Sequence, residues 1–140
     1  MLTYLVDTNV FSELRKGNRC HPSVRAWFDG VAGAQLHTSV VVIGEIRRGI
    51  ERARSRDPAF AAALERWLAD VVLLLEERTH PVSRAIAEEW GRLAAPRKLP
   101  VIDTLLAATA IVHGLTLVTR NLKDIAETGV SYLNPFDPIH

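Results

Sequence analysis

A single cysteine, Cys20, leaves this chain of 140 residues with no internal disulfide and no cysteine-based zinc site. That fits a reducing compartment. An excess of charge of one sign is lacking too: 17 Lys and Arg stand against 16 Asp and Glu, a net charge of +1. No whole-molecule field draws in nucleic acid, so any basic surface must be local. Long hydrophobic runs are missing as well. The stretch Thr104–Val112, bounded by Asp103 and His113, is about half of what a bilayer span requires. The amino terminus enters a strand pattern directly, with no basic region or cleavage site, so no secretory leader is read and a cytoplasmic location is expected. Without repeats, low-complexity tracts or linkers, residues 1–140 read as one domain.

What is present is the balance of a folded globular chain: 48% apolar and 24% charged residues, at a length that buries a full core. Basic residues cluster at Arg15-Lys16 with Arg19, at Arg47-Arg48 with Arg52, Arg54 and Arg56, and at Arg97-Lys98. Each cluster alone reads as a solvated helix face.

Leu2–Val6 reads as a buried strand, followed by helical spacing at Val10, Phe11 and Leu14. Pro22 opens a helix carrying Val24, Trp27 and Phe28. Leu36-His37-Thr38 is a second strand, after which Ser39 caps a helix through Glu45 to about Ala53. The run Val40–Ile43 also has strand propensity, so pattern alone leaves both assignments open. Asp57-Pro58 starts a helix to about Leu74 that buries Phe60, Leu64, Trp67, Leu68 and Val71. A small strand is read within Arg78–Pro81, and Ser83 caps a helix with Ile86, Trp90 and Leu93. Asp103 begins the next helix, which stops at His113-Gly114. Thr116–Thr119 and Val130–Leu133 complete the strands. Helices outnumber strands in an alternating pattern, which is the α/β class. Trp27, Trp67 and Trp90 read as packing residues, and His80, His113 and His140, lacking ligand spacing, as structural.

Four acids stand out against this pattern: Asp7, Glu45, Asp103 and Asp124. Carboxylates at strand-to-helix junctions converge on one edge of a parallel sheet, where such folds bind ligands. A carboxylate cluster repels itself unless a hard cation sits among them, which points to Mg²⁺ or Mn²⁺. Two such cations about 3.5–4 Å apart supply what phosphodiester hydrolysis needs. Asp7 sits at a rigid strand end and Asp103 faces it. Glu45 reaches in as a ligand or orients the water, and Asp124 with the Asn121 amide completes the shell. Singly, Asp7 and Asp103 also read as helix caps, Glu45 as a surface residue and Asp124 as a turn residue. Those readings do not account for all four in this order.

The segments Leu5-Val6-Asp7-Thr8-Asn9-Val10, Thr38–Ile46, Ile102–Ala110 and Val118–Ile125 resemble the four signature segments of PIN-domain ribonucleases, most closely the VapC-type toxins of type II toxin–antitoxin modules. The closing Tyr132-Leu133-Asn134-Pro135-Phe136 resembles the tail of the FitB-like, plasmid-stability branch. The resemblance implies an α/β/α sandwich around a short parallel sheet, a homodimer, and Mg²⁺- or Mn²⁺-dependent cleavage of RNA. Asp7, Glu45 and Asp103 match its metal-holding acids, and Asn121 or Asp124 its fourth acidic position. Thr8, Asn9, Ser39 and Thr119 match polar positions that line the site. It further implies an antitoxin partner that contacts operator DNA, with Trp27, Phe28, Ile50 and the helix around Trp67 as candidate apolar surface. Arg15, Arg47 and Arg48 are expected to hold the RNA backbone.

Other readings place the same acids differently. An aspartate-nucleophile phosphatase wants a second Asp at Asn9, and a receiver domain wants a lysine near Arg120. A catalytically inactive PIN-fold module for RNA binding or assembly rests on Asn121 alone.

Overall fold

The first strand, β1 (Tyr4–Val6), is flanked by β2 (Leu36–Ser39) on one side and β4 (Thr116–Val118) on the other, so its neighbours come from distant parts of the chain. The computed structural model that gives this arrangement describes residues 1–138; His140 lies outside the described residues. With β3 (Thr79–His80) and β5 (Tyr132–Leu133) at the edges, the sheet is wholly parallel in the order β3-β2-β1-β4-β5.

Parallel neighbours need crossover helices, and these are α1 (Thr8–Leu14), α2 (Pro22–Asp29), α3 (Val40–Arg54), α4 (Pro58–Leu75), α5 (Arg84–Ala94) and α6 (Val101–His113). The chain steps outward from β1 to β2 to β3, then returns past β1 to β4. Because such crossovers are right-handed, the reversal puts α1–α4 on one face and α5–α6 on the other. Helix contacts follow that division: α1 meets α2 and α3, α3 packs on α4, and α5 packs on α6. The result is the expected α/β/α sandwich. The direction changes between β1 and β4, and a crevice opens there at their carboxyl ends.

Local chemistry sets the helix boundaries. Ser39 is extended and its hydroxyl accepts the Val41 N–H at 3.0 Å, so Val40–Ile43 enters a helix and not a strand. The helical choice then buries Val42, Ile46 and Ile50 in one row, each four residues from the next. Asp57 caps α4 with Pro58 at its first position, and Ser83 caps α5. Gly114 ends α6 in the left-handed region at φ 65°, where a side chain is disfavoured.

Three expectations change. Helix α6 begins at Val101, so Asp103 lies within its first turn instead of capping it, and a loop, not a strand, leads in. The first and last strands are shorter than read and cover only Tyr4–Val6 and Tyr132–Leu133. Phe60 is 41% exposed; the buried line of α4 is Ala61, Leu68, Val71 and Leu75, with Leu64 and Trp67 partly covered. Among the described residues no helix is long and apolar enough to cross a membrane.

Candidate functional site

Asp7 leaves β1 at the crevice and is both a helix cap and a site residue. One carboxylate oxygen accepts the Thr8 N–H at 2.6 Å, capping α1. The other accepts the Thr119 hydroxyl at 2.8 Å and the Asn9 amide at 3.3 Å. Its own N–H donates to the Val118 carbonyl at 3.0 Å, tying β1 to β4 where the site opens. Asp7 is only 5% exposed. Burial pushes its carboxyl up from the ordinary range, against the pull of these hydrogen bonds.

Thr119 is the hub between the two strand ends. Its hydroxyl donates to Asp7 and accepts the Asn9 amide at 3.2 Å and the Asn121 N–H at 3.1 Å. That uses the full donor and acceptor capacity of a hydroxyl, so its orientation is fixed. Asn9 in turn accepts the Arg120 N–H through its side-chain oxygen at 3.2 Å.

Glu45 reaches in from α3. Its Oε1 accepts the Thr8 hydroxyl at 2.7 Å, so one residue, Thr8, joins the first acid to the second. Asp103 comes from the first turn of α6 and accepts the Asn121 side-chain amide at 3.0 Å. Partial burial and then the charges of Asp7, Glu45 and Asp124 push Asp103 up to about 6. Asp124, half-buried in the loop after β4, is thus brought into the same field.

All four acids converge, together with Asn121, Thr8, Asn9 and Thr119. Ser39 does not touch a carboxylate; its hydroxyl is committed to capping α3, which positions Glu45 only through the helix. No three carboxylate, imidazole or thiol groups among the described residues form a closed ligand cage. Glu45 is hydrogen-bonded to Thr8 and Asp103 to Asn121. An all-oxygen donor set, with one acid pushed up to about 6 by burial and then by its neighbours' charges, fits a hard divalent cation.

The surrounding basic and apolar residues depart from expectation. Arg47 is bound by Glu51 and Glu65, which also engage Arg54 at 3.0 and 2.9 Å, in a network that locks α3 to α4. Arg48 is exposed and does not line the groove beside Glu45, whereas Arg15 does, with Arg56 and Phe60. Trp27 is buried at 7% exposure, in line with its reading as a packing residue, and Ile50 at 0%, so neither presents a partner surface. Phe28 and Trp67 do line an apolar cleft, with Phe11, Leu14, Val71 and Leu74. Sequence reading missed Arg56 and Phe60 as groove residues. It also missed His37, whose Nδ1 lies 2.9 Å from His80 Nε2, while His113 stacks on His80. Residues so far apart in sequence left no local signal.

Comparison with known proteins agrees with this fold. The profile of the PIN domain family matches residues 4–130. The VapC ribonuclease Y4jK of Sinorhizobium fredii is 30% identical over 96% of this chain and 98% of its own length. The crystal structure of FitAcB from Neisseria gonorrhoeae superposes with a TM-score of 0.87 at 25% identity, covering 96% of this chain and 99% of that one. A toxin–antitoxin complex from Klebsiella pneumoniae contains a chain with a TM-score of 0.73 at 25% identity, covering 98% and 100%.

Proposed function

This chain belongs to the PIN-domain family, in its VapC branch, and from that premise we propose that it is a metal-dependent endoribonuclease acting as the toxin of a type II toxin–antitoxin module. The observation that carries the reading is the convergence of Asp7, Glu45, Asp103 and Asp124 at the β1–β4 crevice, where burial and then the other three charges push Asp103 up to about 6. The reaction is in-line attack of water on an RNA phosphodiester.

A magnesium or manganese ion held by Asp7, Glu45 and Asp103, with Asp124 beyond, would activate that water and neutralise charge building on the phosphate. The chain's own groups prepare the site. Thr119, Asn9 and the Thr8 N–H fix Asp7 in one orientation. Thr8 holds one oxygen of Glu45 and leaves the other to ligate or to orient the water. Asn121 aligns Asp103 from outside, in the manner of groups that orient metal ligands without touching the metal. That role makes Asn121 a working part of the site and favours catalysis over an inactive binding module.

The toxin–antitoxin complex from Klebsiella pneumoniae supports an antitoxin as partner. Operator DNA, reached only through that antitoxin, belongs to the module we propose. The apolar cleft at Phe28 and Trp67 and the exposed Val72, Leu73 and Leu74 on α4 support faces covered by a partner or by a second copy in a homodimer. RNA as substrate puts the activity in the cytoplasm.

A manganese titration followed by melting temperature tests the site. A cation that binds only the folded chain must raise its stability. The wild type shifts upward and Asp7→Asn does not; equal shifts would remove Asp7 from the metal site.

A further inference from the structure

Beside Glu45 a groove of about 300 Å³ runs between α1, α3 and α4, with Thr8 and Glu45 among its lining and Leu64 and Trp67 farther along α4. We propose that this groove seats the nucleotide next to the scissile phosphate, its base stacked on Phe60 and its phosphates held by Arg15 and Arg56. The inference rests on the nuclease reading and adds the residues that position the strand.

Charge is the first argument. The arginines of this region divide into two sets. Arg47 and Arg54 are consumed by Glu51 and Glu65. Arg15 and Arg56 line the groove, and among the described residues neither has a carboxylate within ion-pairing distance. With a net charge of only +1, these are cations placed where a phosphate adjoining an acidic centre needs them. A single strand is otherwise repelled by four carboxylates.

Phe60 is the second. It stands in the first turn of α4, 41% exposed, with its N–H held by the Asp57 side chain at 3.1 Å. The Arg15 guanidinium lies 5.2 Å from its ring centroid. An exposed aromatic beside cations that have no carboxylate partner is how sequence-tolerant single-strand binders hold a base, since every base has a π-face to stack. The occupant is RNA and not a protein segment because of this polarity. The other cleft, at Phe11, Leu14, Phe28 and Val71, is apolar except for Arg25, which pairs with Asp29 at 3.6 Å, and suits a peptide; the groove at Glu45 carries the two unpaired cations.

The test measures binding of a fluorescein-labelled, mixed-sequence single-stranded RNA by anisotropy, in an Asp7→Asn background that blocks cleavage. Phe60→Leu, which keeps apolar bulk without a π-face, should weaken binding about tenfold, and Phe60→Tyr should restore it. Arg15→Gln and Arg56→Gln should each reduce the slope of log affinity against log salt by about 0.7. Arg47→Gln, outside the groove, should leave that slope unchanged. If the parent binds RNA and the groove variants bind like it, the subsite is rejected while the nuclease reading stands. No RNA binding by the parent, with no cleavage by the wild type, rejects both.

Discussion

The Asn121 side-chain amide donates to Asp103 at 3.0 Å, linking the loop after β4 to the first turn of α6 across the crevice. An amide at this position supplies no charge, but it sets the direction in which Asp103 presents its free oxygen. Asn121→Ala should lower cleavage about ten- to hundredfold, the usual effect of removing such an orienting group. Because Asn121 is exposed, stability should change by no more than about 0.5 kcal/mol. Comparing single-turnover cleavage with the melting temperature separates the two, and an unchanged rate would leave Asn121 without a role.

Asp103 titrates near 6 because burial and then three neighbouring acids disfavour its charged form. A raised folded pKa means that the metal-free folded chain holds this proton more tightly than the unfolded chain does. Metal-free stability therefore falls as pH rises from the ordinary value of 3.8 to about 6, and the deficit is complete above that. Asp103→Asn should raise metal-free stability above this window by on the order of 1 kcal/mol, after discounting for solvent around the half-exposed group. Manganese must displace the same proton, so its stabilising effect on the wild type should shrink below about pH 6. Melting curves with and without Mn²⁺ on both sides of that pH check both statements.

The histidine group gives the opposite sign. Burial, followed by the charge of Arg78 and His113, pushes His37 down; burial, then His113 and His37, pushes His80 down to about 4. A 2.9 Å contact between two ring nitrogens needs one to be an acceptor, which two imidazolium rings cannot supply. The unfolded chain takes up these protons first. Stability from the pair is thus full above the ordinary 6.5 and is lost as pH falls toward about 4. The melting temperature of His80→Gln should fall less than that of the wild type between about pH 7 and about pH 5. An identical fall in both would show that the pair is not what titrates.

Ser39 caps α3 from a fully buried position, and α3 carries Glu45. Ser39→Ala should cost about 1 kcal/mol in chemical denaturation. The damage should be to stability, with cleavage at saturating metal changed little, since no carboxylate loses a partner.

The parts of the fold set by near neighbours were legible from residue order. Ser39, Asp57, Ser83 and Gly114 are local signals because a cap or a left-handed stop depends on a few adjacent residues. The convergence of Asp7, Glu45, Asp103 and Asp124 was legible because carboxylates recurred beside short apolar runs, Glu45 from within α3 and the others near element ends. What escaped depends on helices meeting. Helical spacing put Phe60 with Leu64 and Trp67, but the packing of α4 against α3 turns the buried line toward Ala61 and Leu68 and leaves Phe60 out. Arg47 looked free until Glu65 arrived from α4. Neither Trp27 nor Ile50 carries a mark that separates a core residue from a surface one. The Val40–Ile43 run shows the contest directly: strand propensity lost to a cap and to the row Val42, Ile46, Ile50.

Cleavage of total cellular RNA by the purified, antitoxin-free protein tests the central claim most directly, with Mg²⁺ or Mn²⁺, with EDTA, and beside Asp7→Asn. Discrete fragments that need both the metal and Asp7 are the predicted result. A folded protein that leaves RNA intact under either metal, or cuts equally well in EDTA or without Asp7, would contradict it.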